Sequence, residues 1–297
     1  MPAQPHSTPA TKSARAPAAF GKQDAQLDTA TFDLIATFLY SQTGITLSPK
    51  KIGMVEARLS SRLRATGLAD YRSYLKHVEA GTDAAERTEM VNALTTNLTR
   101  FFREDHHFET LRSLLDQLAA RSARRSADGR RRLRIWSAGC STGPEPYSIA
   151  MTLADQIPDL DAWDAKILAT DIDTKVLETA RAATFPAADV IGPDGLVERW
   201  TTADGRNRVI SPILREMVHF KPLNLIAQWQ MSGPFDAIFC RNVAIYFDRP
   251  VQAHIFNRMH GLLADDGLLF IGHSENLAPV TDVFTLLGKT VYRKTGV

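Results

Sequence analysis

Cysteine is nearly absent from this 297-residue chain. Cys140 and Cys240 stand far apart, at no spacing that a metal site or a redox pair uses, and both are expected to be small buried residues. Long apolar runs are missing too: no stretch approaches the roughly eighteen residues of a membrane span, so no direct membrane insertion is expected. The first residues carry no apolar segment of the kind a secretory signal needs. Reduced thiols without such a signal fit a cytoplasmic location, where the acceptor triplet Asn97-Leu98-Thr99 would never be glycosylated. Charge of one sign is also lacking. With 35 basic and 33 acidic residues the net charge is +2, which removes any global field toward nucleic acid or a membrane surface. The remainder, 44% hydrophobic and 23% charged, belongs to a globular protein long enough for one large domain and a small one.

Residues 1–28 are rich in Pro, Ala, Ser and Thr and have little to bury, so a disordered tail is expected. Over residues 29–90 apolar residues recur at helical spacing, as in Phe32, Ile35, Phe38 and Leu39. Ser48-Pro49 reads as a helix start, and Gly67 and Gly81 as stops, giving a small all-α domain of about four helices. On the helix after Ser48, the apolar stripe Ile52, Val55, Leu59 and Leu63 is flanked by Lys51, Arg58 and Arg62. Seven basic residues face two acids between Ile45 and Lys76, so this edge is either a solvated face or a docking surface for an acidic helical partner. A second basic run, Arg121 to Arg134, reads as a flexible link or a nucleic-acid patch; the interleaved aromatics of the latter are missing.

Residues 91–297 read as a second, larger domain. Apolar strand candidates at Leu133–Ser137, Ile167–Thr170, Phe235–Cys240 and Leu268–Gly272 alternate with helical segments. That rhythm gives an α/β fold with a doubly wound, mostly parallel Rossmann-like sheet and ligands at the carboxyl ends of its strands. The stretch from about 185 to 220 breaks it with Gly192-Pro193, Asp194-Gly195 and Asp204-Gly205, so a small inserted β-subdomain is expected there.

After the first strand, small residues Ser137 to Gly143 lead into a helix opened by Pro144, Glu145 and Pro146, and the second strand ends on Asp171. This is a nucleotide-binding βαβ unit, with a glycine turn approaching the ligand and an acid placed for ribose hydroxyls. A dinucleotide needs G-x-G-x-x-G, and no glycine stands at 141. Glu145 would also repel a phosphate at the helix start, whereas it could hold a cation. S-adenosylmethionine satisfies both facts, having a ribose, an ammonium and a sulfonium but no phosphate; a plain strand-turn-helix without ligand is the alternative. Asn224-Leu225 could read an adenine edge. Arg241-Asn242-Val243 follows a strand end where nucleic-acid amino-methyltransferases carry a Pro-Pro motif, absent here. Thr96 to Arg103 is either a lid over a ligand or a helix start followed by two core phenylalanines. His106-His107 are too close for a metal pair on one helix face, so no metal is expected.

In order, the chain carries NLTRFFRE (97–104), RIWSAGCSTGPEPYSIAM (134–151), ATDID (169–173), DAIFCRNVAIYFD (236–248) and IGHSENL (271–277). With this set it resembles the CheR family of chemotaxis receptor methyltransferases, over about nine-tenths of its length. The resemblance implies S-adenosylmethionine as donor, with S-adenosylhomocysteine as product. It implies methyl esterification of glutamate side chains on the cytoplasmic helices of chemoreceptors (methyl-accepting chemotaxis proteins) in sensory adaptation. It assigns Asn97, Thr99, Arg103, Glu145, Asp171, Asn224, Leu225, Asn242 and Val243 to the donor. Glu145 would meet the donor's ammonium and Asp171 its ribose. Arg103, with Tyr246 as a second group, is the candidate to orient the acceptor carboxylate, and Lys51, Arg58 and Arg62 are the candidate docking residues. Two departures stand out. Pro144 replaces a second Glu, and the subdomain has Ala183-Thr184-Phe185 and Glu198-Arg199-Trp200 where Gly-x-Tyr and Arg-Tyr-Phe are common. Some relatives grip a receptor's C-terminal pentapeptide there. The rival readings are a catalytically silent donor-binding adaptor and a nucleic-acid methyltransferase; the latter lacks its Pro-Pro motif, and nucleic acid is not an expected partner.

Overall fold

A computed structural model describes residues 25–120 and 124–296. Most of the tail expected at 1–28, and Arg121 of the basic run, therefore lie outside the described residues. The end of that tail is ordered, in contrast to the expectation. Leu27 is 3% exposed in the helical core, and the Asp28 carboxylate accepts from the Thr31 N–H at 2.8 Å to open the first helix.

Four helices follow: α1 (Thr29–Thr43), α2 (Ile52–Thr66), α3 (Tyr71–Glu79) and α4 (Ala84–Leu94). A 3-10 turn, Pro49–Lys51, leads into α2, and Gly67 ends it. Asp70 and Asp83 cap the next two helices by accepting from the N–H of Ser73 and Glu86. Val55, Leu59 and Leu63 are buried against Phe32, Ile35, Leu39, Tyr74 and Met90, so the apolar stripe of α2 is the core face of the bundle. Two cations on the basic flank of α2 are also engaged by the protein. The Arg62 guanidinium forks the buried Glu86 carboxylate (3.0 and 2.5 Å) and reaches Glu89 at 3.1 Å. Tyr74 donates a further bond to Glu86 at 2.7 Å, and Arg58 donates to the Thr95 carbonyl at 2.6 Å. Arg62 and Arg58 are thus tied internally as well as lying on the basic edge, so that edge is not simply a solvated face.

The larger unit runs α5 (His106–Ala120), β1 (Arg131–Ala138), α6 (Pro144–Gln156), β2 (Trp163–Asp171) and α7 (Thr174–Ala182). Next come β3 (Thr184–Pro186), α8 (Leu196–Trp200), β4 (Thr201–Asp204), β5 (Asn207–Ile210), α9 (Pro212–Met217) and β6 (Val218–Pro222). It closes with β7 (Phe235–Cys240), α10 (Arg249–Leu262), β8 (Leu263–Ile271), β9 (Phe284–Gly288) and β10 (Val291–Lys294). Among the described residues the main sheet has the order β6-β2-β1-β7-β8-β10-β9. The first five strands are parallel, and β10 runs antiparallel to both of its neighbours, β8 and β9. Side chains alternate across it: Leu133, Ile135, Ala237, Phe239 and Phe270 enter one core layer, and Trp136, Ala138, Ile238, Cys240, Leu269 and Ile271 the other.

Two expectations are adjusted. The inserted subdomain is an antiparallel sheet, β3-β5-β4, but Val218–Phe220 belongs to the main sheet, paired in parallel with β2 from Ile167↔Val218. Val218 and Phe220 are buried on the sheet's core face, which is why the run joins it. The basic run is neither a loose link nor an unpaired patch from Arg124 onward. Arg125 and Arg131 form a backbone bridge, Arg124 pairs with Asp236, and Arg134 pairs with Asp164 from within β1. No described helix is long and apolar enough to cross a membrane.

Candidate active site

The carboxyl ends of β1, β2, β7 and β8 converge because the chain leaves β1 toward β2 on one side and returns with β7 on the other. Gly139 leaves β1 at φ 77°, and its N–H and that of Cys140 both donate to the Thr170 carbonyl, at 2.8 and 2.9 Å. A Cβ at Gly139 would stand 2.3 Å from Val243 Cγ2, so only glycine lets the two turns meet. The Ser141 N–H donates to Asp171 Oδ2 at 2.8 Å, and its hydroxyl donates to the Asn97 carbonyl at 2.8 Å. One turn thereby fixes both the acid after β2 and the loop after α4.

Glu145, in the first turn of α6, accepts from the Ser137 hydroxyl at 2.7 Å and from Arg241 Nη1 at 3.2 Å. Burial pushes its carboxyl up, against the pull of Arg241 and Ser137. Burial likewise pushes Asp171 up, against bonds from the Asp173 and Ser141 N–H groups. Two buried acids only partly compensated by protein groups suit a cationic and hydroxylated ligand. Both cysteines are buried and their thiols are pushed up by that burial, so neither is a nucleophile.

The loop after β7 is held from below. Glu275, 8% exposed, accepts from the N–H of Gly272 (2.5 Å), Asn242 (3.0 Å), Val243 (3.0 Å) and Ile245 (3.3 Å). Asn242 sits at φ 58°, the conformation that aims Val243 at Gly139. Arg241 is buried between Glu104 at 3.3 Å and Glu145 at 3.2 Å. Sequence reasoning gave no role to Glu275, Arg241 or Glu104, although all three lie inside the quoted motifs. An acid four residues past the end of β8 was the available signal.

A cavity of about 290 Å³ gathers Asn97, Thr99, Arg103, Glu145, Asp171, Asn224, Leu225, Asn242, Val243 and Tyr246 on its wall, together with Lys51. Arg58 and Arg62 are not on that wall. Asn97 Nδ2 donates to Asp173 Oδ2 at 2.7 Å, and Arg103 Nη1 to the Leu98 carbonyl at 3.0 Å. Asn224, on the cavity wall, also makes structural bonds: its Nδ2 donates to the Gln42 carbonyl at 2.7 Å and its Oδ1 accepts from the Ile226 N–H at 3.2 Å. The side chain thereby ties the helical unit to the larger one. The Lys51 ammonium lies 5.6 Å from the centre of the Tyr246 ring. Phe101 and Phe102 are buried, Phe101 edge-on to Phe185 at 5.0 Å, so they anchor the 97–103 loop instead of forming a lid.

Among the described residues, ligand atoms of Glu104, His106 and His107 lie within 4.8 Å of one another. Glu104 is paired with Arg241 at 3.3 Å and His273 at 2.8 Å. Burial raises Glu104, but His273 and Arg241 outweigh it and bring the carboxyl to about 2. His107 is held at about 3 by burial and by Arg241. The Nε2 atoms of His106 and His107 both face the Lys289 carbonyl, at 3.2 and 3.1 Å.

A parallel sheet with a glycine turn after β1, an acid ending β2 and a buried glutamate opening α6 defines the class of S-adenosylmethionine-dependent methyltransferases. Residues 97–293 match the CheR methyltransferase SAM-binding domain and residues 30–95 the CheR methyltransferase all-α domain, so the chain belongs to the CheR methyltransferase family. It is similar to a probable chemotaxis protein methyltransferase of Rhizobium etli, 44% identical over 86% of this chain and 97% of that one. It is 44% identical to the chemotaxis protein methyltransferase of Escherichia coli K12, over 90% and 91% of the two chains. Chemotaxis protein methyltransferase 2 of Pseudomonas aeruginosa is 42% identical, over 92% and 96%. The donor is S-adenosylmethionine.

Proposed function

We propose that the protein methylates glutamate side-chain carboxylates on the cytoplasmic helices of a chemoreceptor, forming methyl esters in sensory adaptation. One observation carries this reading: the two carboxylates on the described cavity wall, Glu145 and Asp171, are the ones assigned here to the donor, which leaves the acceptor no carboxylate base. The cavity's ionisable wall residues, among those described, are Lys51, Arg100, Arg103, Glu145, Asp171, Arg241 and Tyr246. Such a wall suits a nucleophile that arrives ionised, as a glutamate with a pKa of about 4.3 does at neutral pH. A hydroxyl or an amine would need its proton removed first.

When bound, S-adenosylmethionine supplies an electrophilic methyl group on a sulfonium. Glu145 holds the ammonium end and Asp171 accepts from the ribose. Asn97, Thr99, Asn224, Leu225, Asn242 and Val243 complete the donor wall. Arg103 and Tyr246 orient the acceptor carboxylate, and alignment of this kind is worth up to about 7–11 kcal/mol. Lys51 and Arg58, on the basic edge of α2, attract the acidic receptor helix; Arg62 contributes less, because Glu86 and Glu89 already hold it. The helical unit over 29–90 and the donor-binding unit over 91–297 are the working parts, and the reaction takes place in the cytoplasm.

The test is methyl transfer from labelled donor to a chemoreceptor cytoplasmic fragment of the same organism, scored as alkali-labile methanol. Release that disappears in Asp171→Ala supports the reading. Donor binding by calorimetry without any transfer would refute it in favour of a donor-sensing adaptor.

A further inference from the structure

Leu98 is the most exposed large hydrophobic side chain among the described residues, at 82%, and it stands on the wall of the donor cavity. Ile245, 49% exposed, stands on the same wall. Neither rides on an untethered loop. The Leu98 carbonyl accepts from Arg103 Nη1 at 3.0 Å, and the Ile245 N–H donates to Glu275 Oε1 at 3.3 Å. Two apolar side chains are thus held out to water on fixed backbone, beside the cations Lys51, Arg100 and Arg103 of the same cavity. Singly exposed apolar side chains are ordinary on a protein surface, but two on the wall of one substrate cavity offer an entering acceptor an apolar contact. Apolar groups beside cations select a partner that is apolar and acidic on one face. On a helix, residues three and four positions apart share a face, so a glutamate entering the cavity brings its neighbours one turn away onto this lip.

We propose that Leu98 and Ile245 form an apolar lip that selects acceptor glutamates flanked, one helical turn away, by apolar side chains. The proposal rests on the carboxyl-methylation reading above and adds to it a basis for choosing among glutamates.

The full chain carrying Leu98→Ser, Ile245→Ser or the conservative Leu98→Met is assayed for kcat, for KM toward the chemoreceptor cytoplasmic fragment, and for donor affinity by calorimetry. Two fragments are used: the natural one, and one with the apolar residues three and four positions either side of the methylated glutamate changed to glutamine. With the natural fragment each serine variant is expected to raise KM about ten-fold and to leave donor affinity within about two-fold, while Leu98→Met stays near the parent. With the glutamine fragment the parent KM is already raised and the serine variants add nothing. An unchanged KM, a donor constant that rises in step with KM, or equal penalties on both fragments overturns the lip. A parent enzyme that binds donor yet methylates neither fragment overturns the methylation reading, and the lip falls with it.

Discussion

Gly139→Ala measures how tightly the donor turn and the loop after β7 are fitted together. Two costs can be read from the geometry. Gly139 sits at φ 77°, where an L side chain costs about 1–2 kcal/mol. The new Cβ would lie 2.3 Å from Val243 Cγ2. Carbon atoms in contact prefer about 3.5–4.0 Å, so more than about 1 Å must be found. Val243 cannot retreat with its backbone, because its N–H and those of Asn242 and Ile245 are anchored on Glu275. Overpacking of this kind costs about 1–3 kcal/mol, which brings the total to about 2–5 kcal/mol. Urea unfolding of Gly139→Ala, Val243→Ala and the double variant separates the terms. Shortening Val243 should relieve the steric part, giving a favourable coupling of about 1–3 kcal/mol, and should leave the dihedral part of about 1–2 kcal/mol. Donor affinity should fall in Gly139→Ala and recover partly in the double variant. A single variant neutral within about 0.5 kcal/mol, or a coupling near zero, would refute the close-approach argument.

Glu275→Gln keeps the size of the side chain but turns one of its two accepting oxygens into a donor. At least one of the four anchored N–H groups then faces an amide and is left buried and unpaired, at about 1–3 kcal/mol each. Hydrogen exchange should quicken at Val243 and Ile245, and donor affinity should drop; unchanged exchange there would remove Glu275 from the site's support. The pH dependence of donor binding follows from Glu145 and Asp171, both raised by burial above their ordinary values of 4.5 and 3.8. In the donor-free protein a raised acid contributes stability below its unfolded pKa and loses it as pH rises through the folded value. Donor binding calls for the ionised forms, so affinity should weaken on acidification through the window just above those ordinary values. Calorimetry across that window should show the decline in the parent and a flatter profile in Glu145→Gln. A parent affinity indifferent to acidification would contradict the assignment of Glu145 to the donor's ammonium.

The parts of this molecule legible in its sequence are those written in a single local code. The alternation of strands β1, β2, β7 and β8, the stripe Val55–Leu59–Leu63 and the turn from Gly139 to Glu145 each follow from periodicity or from glycine and cap chemistry at one place. What stayed hidden depends on partners far along the chain. Arg62 looks like a surface cation until Glu86 and Tyr74 arrive from α3 and α4 to bury its fork. Asn224 gives no sign of tying the two units together until Gln42, 182 residues away, accepts from its Nδ2. Val218–Phe220 looked like part of the insertion because a β run carries no label for the sheet it joins; its register with Ile167–Ala169 decides that. Glu275 was invisible as a support because its four partners are backbone N–H groups, which any sequence would supply.

The helical unit is more than an appended docking module, because it builds one wall of the donor cavity. Thr43, Ile45, Leu47, Lys51, Met54 and Leu94 line that wall. It is fixed to the sheet at several separate points. Asn224 donates to the Gln42 carbonyl at 2.7 Å, Thr46 to the Tyr246 carbonyl at 2.9 Å, and Tyr40 to Asp248 at 2.8 Å. Asn92 and Thr174 bond at 3.1 Å on the far side. The Thr46 bond is the informative one, for it seats the helical unit directly on Tyr246, an acceptor-orienting candidate. Lys51 approaches the face of the same ring. A receptor helix drawn to the basic edge of α2 would therefore press on the wall that positions its own glutamate. On the docking and alignment roles proposed above, substrate docking and acceptor alignment would share one set of contacts, a physical reason for a cavity of this kind to be closed by two units instead of one.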